Sequence, residues 1–466
     1  MASIGFGAFW GCTNLTTVMM LGTTEPSLGE SAFQNNNATI YVPFESLDVY
    51  KTAANWNNYS DRIYPWLQTS ISGYNESNGN WHFIASPLAE NTAPTEIDDM
   101  LPATGTYDLY RFDQSENAEW QNYKANSFSL ENGQGYLYAN AEDVNVIFKG
   151  AFNEGPSQEV SLTYDGTADF AGWNLVGNPF PYAATVSRSH YVMNEGGTAI
   201  EPVAVSAGGT IAACTGVMVK AEANESNPKV TFAQPTRQTV ENKGLLHIAV
   251  SNAEVLDKAI VSFNAGDALE KFVFNKDNAQ IYIPQDGKDY AIATVGGTDI
   301  ARYVSTEVPV NFKATKNGTY TLTVNVDNVE LDYLHLIDNL TGADIDLLHP
   351  NAVIAGKDPQ SPAPSYTFTA KTTDYASRFR LVFGADGASG DSCEPNFAYI
   401  SKGEIIITAD ACDASLQVVD MMGRVIISAD VARNVSTRGM TPGVYVLRLV
   451  NGDSVRTQKV VMLTKR

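Results

Sequence analysis

The sequence predicts a mainly β protein: several antiparallel β-sandwich modules behind a short repeat-like N-terminal segment with one helix. Three observations carry this. Gly (36), Tyr (22) and Phe (20) are plentiful in the 466 residues while charged residues make up only 18%, the composition of packed, turn-rich sheet and not of a disordered acidic chain, a coiled coil or collagen. Short runs of alternating apolar residues recur, bounded by turn dipeptides such as Asn317-Gly318 and Asp286-Gly287, the pattern of half-buried strands joined by tight turns. No stretch reaches the 18 apolar residues that a membrane-spanning helix requires. At about 150 residues per domain the length corresponds to roughly three domains.

The charge narrows the partners. Acidic residues number 52 and basic ones 30, a formal net of −22. Nucleic acids and anionic membranes are bound chiefly by Lys and Arg neutralising phosphate, so neither is expected as a partner. No basic n-region precedes an apolar stretch at the N-terminus, where the first basic residue is Lys51; a secretory leader is not expected there. Cys12, Cys214, Cys393 and Cys412 form no CxxC pair. They read either as separate small buried thiols or, for Cys393 and Cys412, as one bridge in an oxidising compartment.

Residues 1–67 contain a repeat. Ala8-Phe9 recurs as Ala32-Phe33, 24 residues on, a leucine-rich-repeat period. The text Ile4-Gly5 … Ala8-Phe9 … Cys12 … Leu15 … Val18 resembles the BspA-type leucine-rich repeats of bacterial surface proteins. The resemblance implies that Ala8, Phe9, Cys12, Leu15 and Val18 point into a solenoid core, with Cys12 a core residue and not a nucleophile. Thr39–Pro43 reads as a last strand and Glu45–Ala54 as a short helix with Leu47, Tyr50 and Ala54 on one face. With Trp56 and Ile63, that helix resembles the cap that closes such arrays. Only one and a half units are present where a solenoid needs about three, so the segment is expected to be the C-terminal remainder of a longer array. Trp10 falls in a variable slot, is expected to face solvent and is a candidate ligand contact.

Residues 68–235 contain a duplication. Trp81-His82-Phe83-Ile84-Ala85-Ser86-Pro87 matches Trp173-Asn174-Leu175-Val176-Gly177-Asn178-Pro179 at an offset of 92 residues. Tyr110–Asp113 matches Tyr191–Asn194, and Gly135–Asn140 matches Gly216–Ala221, both at an offset of 81. Val144–Phe148 and Lys229–Phe232 close the copies. Two antiparallel units packed on each other through their apolar faces are expected, with Trp81 and Trp173 in the core and Pro87 and Pro179 ending strands. Trp120 has no counterpart in the second copy and is the other candidate ligand contact.

Residues 236–385 carry strand-like runs at Ala259–Phe263, Gln280–Ile283, Thr319–Val324 and Phe379–Phe383, with a further turn at Gly296-Gly297, and read as a β-sandwich. The run from Leu256-Asp257-Lys258-Ala259 to Arg378-Phe379 is similar to the β module that precedes a sorting domain in many exported bacterial proteins. Asp338, Asp344 and Asp346 lack the spacing of a calcium loop and read as a solvated turn. A small-residue linker, residues 386–394, follows.

Residues 395–466 reverse the charge: 9 basic against 7 acidic from residue 394 onward, after 21 against 45 before it. Leu416–Ile426 reads as a hairpin whose turn uses Gly423. Pro442–Leu449 reads as a second turn and strand, and Lys459–Met462 as the last strand. In order, D-x-x-G-R-V (Asp420, Gly423, Arg424), P-G-x-Y (Gly443, Tyr445) and K-V-V (Lys459, Val460, Val461) resemble the C-terminal sorting domain of the type IX secretion system. The resemblance implies recognition by the outer-membrane export machinery and a secreted or outer-membrane-surface location in a gram-negative bacterium.

Catalytic patterns are missing from the text. It holds no HExxH, GxSxG, P-loop or GxGxxG, and His82, His190, His247, His335 and His349 are scattered. Gly390-Asp391-Ser392 is followed by Cys393-Glu394 where a serine-protease loop needs glycines. The expectation is a non-enzymatic, adhesin-like exported protein with no cofactor or metal, whose repeat region contacts a host or bacterial surface protein or glycan. The alternative is a secreted protein that binds or degrades carbohydrate, using exposed aromatic rings as platforms.

Overall fold

The computed structural model describes residues 2–75, 79–102, 106–116, 118–235, 244–295, 306–348, 364–384, 398–401, 404–407, 415–420, 424–430, 434–438, 440–441, 443–451 and 454–462. The predicted Cys393–Cys412 pairing, the linker, Gly296-Gly297 and Gly423 lie outside these residues. The chain divides into a large unit, Met1–Ile300 with Glu307–Phe383, and a small one, Ala301–Thr306 with Gly384–Arg466. Strands dominate both, and among the described residues no helix is long and apolar enough to cross a membrane.

At the N-terminus two turns of chain stack in parallel. Ser3–Ile4 pairs with Ser27–Leu28, and Thr17–Met19 pairs with Thr39–Pro43, which pairs in turn with Ile63–Ile71. Backbone rungs join the turns elsewhere, as where the Phe9 N–H donates to the Ala32 carbonyl at 2.8 Å. The repeat-related rings of Phe9 and Phe33 stack 5.0 Å apart with planes only 10° from parallel.

Burial differs between the turns. Ala32, Phe33, Ile40 and Val42 are fully buried, whereas Ala8 and Cys12 are exposed and Phe9, Leu15 and Val18 only half-buried. Against the expected core role, Ala8 and Cys12 are thus exposed in this structure, where the first turn rests on the second alone among the described residues. The helix is also shorter than expected. It spans Leu47–Thr52 after a 3-10 turn at Phe44–Ser46, because Ala53 is extended (φ −64°, ψ 151°) and Asn55 left-handed (φ 68°). Ala54 is therefore exposed. Tyr50 and Trp56 fill the core instead, edge-to-face at 5.0 Å, with the indole N–H donating to the Pro26 carbonyl at 2.8 Å.

The sequence duplication becomes a duplication of topology. The first copy is a four-stranded sheet in the order His82–Ala85, Gly135–Asn140, Tyr107–Phe112, Trp120–Asn122; the second repeats that order with Trp173–Gly177, Gly216–Lys220, His190–Met193, Ile200–Val203. In each copy the closing strand leaves for a second sheet, Val144–Lys149 pairing with Ile63–Ile71 and Lys229–Ala233 with Ser157–Ser161. A core fills each sandwich: Leu109, Tyr136, Tyr138, Val146 and Phe148 in the first, Val176, Val217, Val219, Val230 and Phe232 in the second.

The copies meet about a pseudo-twofold axis. The Ala85 N–H donates to the Cys214 carbonyl at 2.9 Å, and the Gly177 N–H donates to the Gly133 carbonyl at 2.8 Å. Residues 85 and 177 are equivalent in the alignment, as are 133 and 214, so one interaction occurs twice. Bridges Ile84–Thr215 and Gln134–Val176 repeat the relation, and Gly133 and Cys214 share left-handed backbone (φ 85° and 58°). Such proximity excludes side chains: a Cβ on Gly177 would lie 2.3 Å from the Ala85 Cβ, and one on Gly135 would lie 2.5 Å from the Val176 carbonyl oxygen.

The central strands are consequently buried on two faces: all six residues of Gly135–Asn140 and all but the last of Gly216–Lys220 are buried. Beyond the dyad lies a shared core of Phe83, Phe112 and Leu137 from the first copy, Trp173, Leu175 and Tyr191 from the second, and Ile260, Phe272 and Ile292 from the next module, with Trp81 half-buried against it.

That next module is one hydrogen-bonded path of strands, from Ala343–Asp346 at one end to Ser365–Ala370 at the other. It folds over so that Phe312 touches Tyr320 and Phe368, each at 5.2 Å, and Phe368 touches Phe379 at 4.9 Å. One pair within it, Glu254–Ser262 with Lys288–Thr294, is parallel. Asp338 is not a solvated turn residue. It is fully buried, paired with Arg378 at 2.9 Å and also receiving the Tyr366 hydroxyl at 3.1 Å. Burial alone would raise its carboxyl; the Arg378 guanidinium and the Leu340 N–H hold it below the ordinary range instead. Asp344 binds the His335 ring at 2.7 Å, and among the described residues no cluster of His, Cys, Asp or Glu is placed to hold a metal ion.

Two outcomes follow for stability. Gly177→Ala should destabilise the large unit by about 1–3 kcal/mol or more through overpacking, read as a lower urea midpoint, while Gly209→Ala, where an added Cβ meets nothing within 4 Å, should change it by less than about 0.5 kcal/mol. Arg378→Met strands the Asp338 carboxylate and should cost about 3–5 kcal/mol; a midpoint equal to the parent's would show that the pair does not hold the module.

Candidate functional site

The C-terminal unit contains a three-stranded sheet, Ala398–Ser401, Glu404–Ile407 and Asn434–Ser436. It also contains a four-stranded sheet in the order Val425–Asp430, Ser415–Asp420, Gly443–Asn451, Ser454–Met462. Leu416, Val418, Leu447 and Leu449 alternate along their strands and are buried with Ile405 and Val435 from the smaller sheet, as period-two patterning requires of a sheet with one covered face.

The register brings the separate motifs into one row. Asp420 lies opposite Tyr445, and Tyr445 lies opposite Val460. Residues 40 apart in sequence thus occupy neighbouring strands at one end of the sheet, with their side chains on the same face. Tyr445 and Val460 are buried there. The Tyr445 hydroxyl donates to the Thr441 carbonyl at 2.8 Å and lies 3.1 Å from the Thr441 hydroxyl, which ties the strand to the turn before it.

At the row's first strand Asp420 and Arg424 close the hairpin. The Asp420 N–H donates to the Arg424 carbonyl at 2.9 Å, the Arg424 N–H to Asp420 Oδ1 at 2.9 Å, and Arg424 Nε to Oδ2 at 2.8 Å. The carboxylate is largely covered while the Arg424 side chain is 70% exposed, so the guanidinium is both oriented and presented. Gly443 faces Met462 in extended backbone, and a Cβ there would meet the Tyr445 ring at no less than 3.7 Å; space does not oblige glycine at that position. Val461 and Lys459 stand opposite Val444 and Val446. Thr441 is the residue that motif reading passed over, although its place four residues before the tyrosine was visible.

The other candidates sit elsewhere. Trp10 is 59% exposed on the N-terminal stack. Trp120 is half-buried, its ring edge-to-face with Phe112 at 5.0 Å and with Phe274 at 6.3 Å. Two groups with nucleophile or base chemistry in the large unit, Cys214 and His190, are buried. Burial pushes the Cys214 thiol up to about 12, far from the thiolate a nucleophile needs. Burial lowers His190 despite the contact of its Nδ1 with the Arg188 carbonyl at 2.9 Å.

Residues 401–463 match the family of secretion system C-terminal sorting domains. This segment is a type IX sorting domain. No curated protein matches the chain. The sorting domain marks the protein for export by type IX secretion, to the medium or the cell surface, in bacteria of the Bacteroidetes type, and the export machinery is the partner it implies.

Within the sorting domain, Tyr445→Phe should lower local stability by about 1 kcal/mol through the lost Thr441 bonds, and Tyr445→Ala by about 3–5 kcal/mol. Hydrogen exchange of the full chain, read at the amides of Gly443–Asn451, measures both. Unchanged protection in Tyr445→Ala would mean that the ring does not anchor the row.

Proposed function

We propose that the protein is a non-catalytic, exported contact protein. In this reading the sorting domain delivers it, the β modules act as a rigid spacer, and the N-terminal stack is the end of a BspA-type leucine-rich-repeat array with an adhesin-like role towards a host or bacterial surface partner. The parallel stacking of two turns carries the repeat reading, because rungs between residues 22–24 apart and the stacked Phe9 and Phe33 are what a solenoid with that period requires. Contact is supported by the exposed apolar side chains of this stack: Phe6 is 73% exposed, Trp10 59%, and Leu21 of the following connection 75%. Isolated exposed apolar residues are ordinary; several close together on one short segment mark an interaction surface. The non-catalytic part of this reading is supported by the burial of Cys214 and His190 and by the missing motifs.

Deleting residues 395–466 tests delivery. In a host with type IX secretion the truncated protein should accumulate in the periplasm while the full chain reaches the surface or medium; surface display of the truncated form would refute the export reading. In the same host, a Phe6→Ala/Trp10→Ala double variant should export normally yet lose adhesion to partner cells, and undiminished adhesion would remove the N-terminal stack from the contact role.

A further inference from the structure

Between the second β unit and the module that follows it, within the large unit, lies a cleft of about 400 Å³, inside the range of small-ligand sites. One wall is aromatic. Phe170 and Trp173 come from the second unit and Phe272 from the next module; the Phe272 ring stands 5.2 Å from Phe170 and 5.0 Å, edge-to-face, from Trp173. The floor is polar: Lys220 is ion-paired with Glu270, which also receives Lys288. The Lys220 ammonium lies 5.7 Å from the Trp173 ring.

The wall is held before any ligand arrives. Gln114 of the first unit is buried and bonded to both ends of the loop that carries Asp169 and Phe170. It accepts the Asp165 N–H at 3.0 Å and the Gly172 N–H at 2.7 Å, and donates to the Trp173 carbonyl at 3.1 Å. A site built on a pinned loop loses little entropy on binding.

Charge selects the ligand class. Lys220 is matched by Glu270, Lys271 by Asp257 at 2.6 Å, and Lys288, which shares Glu270, by Glu222 at 3.9 Å. Asp169 and Lys276 stand exposed at the rim, one of each sign, without an ion-pair partner among the described residues. The cleft therefore offers no net attraction to a phosphate or a nucleotide. A wholly apolar ligand would strip water from the Lys220–Glu270 pair and return no hydrogen bonds. A neutral ligand with one apolar face and a hydrogen-bonding edge satisfies wall, floor and rim together, and a pyranose ring has that form. We infer that this cleft binds one neutral sugar residue of a glycan, its C–H face against Phe170 and its hydroxyls toward Glu270, Lys220 and Asp169.

The test uses the full chain. An array of neutral and acidic oligosaccharides should yield binding to neutral members, and calorimetry with the best of them should give at least a tenfold weaker Kd for Phe170→Ala and a severalfold weaker one for the rim variant Asp169→Asn/Lys276→Ala. Gly209→Ala, which is not among the residues lining the cleft and where an added Cβ meets nothing within 4 Å, should leave the Kd unchanged. Circular dichroism and the urea midpoint check that each variant is folded, and the exposed rim variant decides the matter if Phe170→Ala is not. Binding to no neutral glycan, binding to acidic ones alone, or an affinity indifferent to the cleft variants overturns the inference; none of these outcomes bears on export.

Discussion

Main chains of two sheets can exchange hydrogen bonds across a packed interface only where side chains are missing, and that requirement governs how the duplicated units meet. Gly135, Gly177 and Gly216 crowd the pseudo-twofold axis, and Ala85 holds the place equivalent to Gly177 because one methyl, but not two, fits between the strands. Once the backbones have closed to that distance, the outer faces of both sheets can no longer be solvated. Trp173, Tyr191, Phe83 and Leu137 become interior, and the next module must cover what remains. The aromatic cleft is a product of that covering, since its walls belong to different modules.

The alignment of the two copies made the repeated strand order legible, because apolar alternation and turn glycines recur with it. The dyad itself left little trace: a glycine needed for close approach looks in the sequence like any turn glycine. Buried charge was equally hidden. Asp338 sits in Asp338-Asn339-Leu340-Thr341-Gly342, which reads as a turn, and its partner Arg378 lies 40 residues away on another strand. Cys12 matched a core position by spacing, yet among the described residues it is exposed while Phe33 of the next turn is fully buried.

The sorting domain was the most legible part of the chain because its motif residues are also its folding residues. Asp420 closes a hairpin, Tyr445 fills the core and locks a turn, and Val460 is buried beside it. A motif whose members fold the domain cannot drift in spacing without losing the sheet. The cleft residues had no such signature; Phe170, Lys220 and Glu270 are scattered over about a hundred positions and converge only through the packing of modules.

The row Asp420–Tyr445–Val460 is assembled by three strands, and its third member lies on Ser454–Met462. Before that strand is made and paired, the first two motifs exist without their neighbour and the row does not. A chain cut before Ser454–Met462 therefore keeps two of the motifs and loses the row they form.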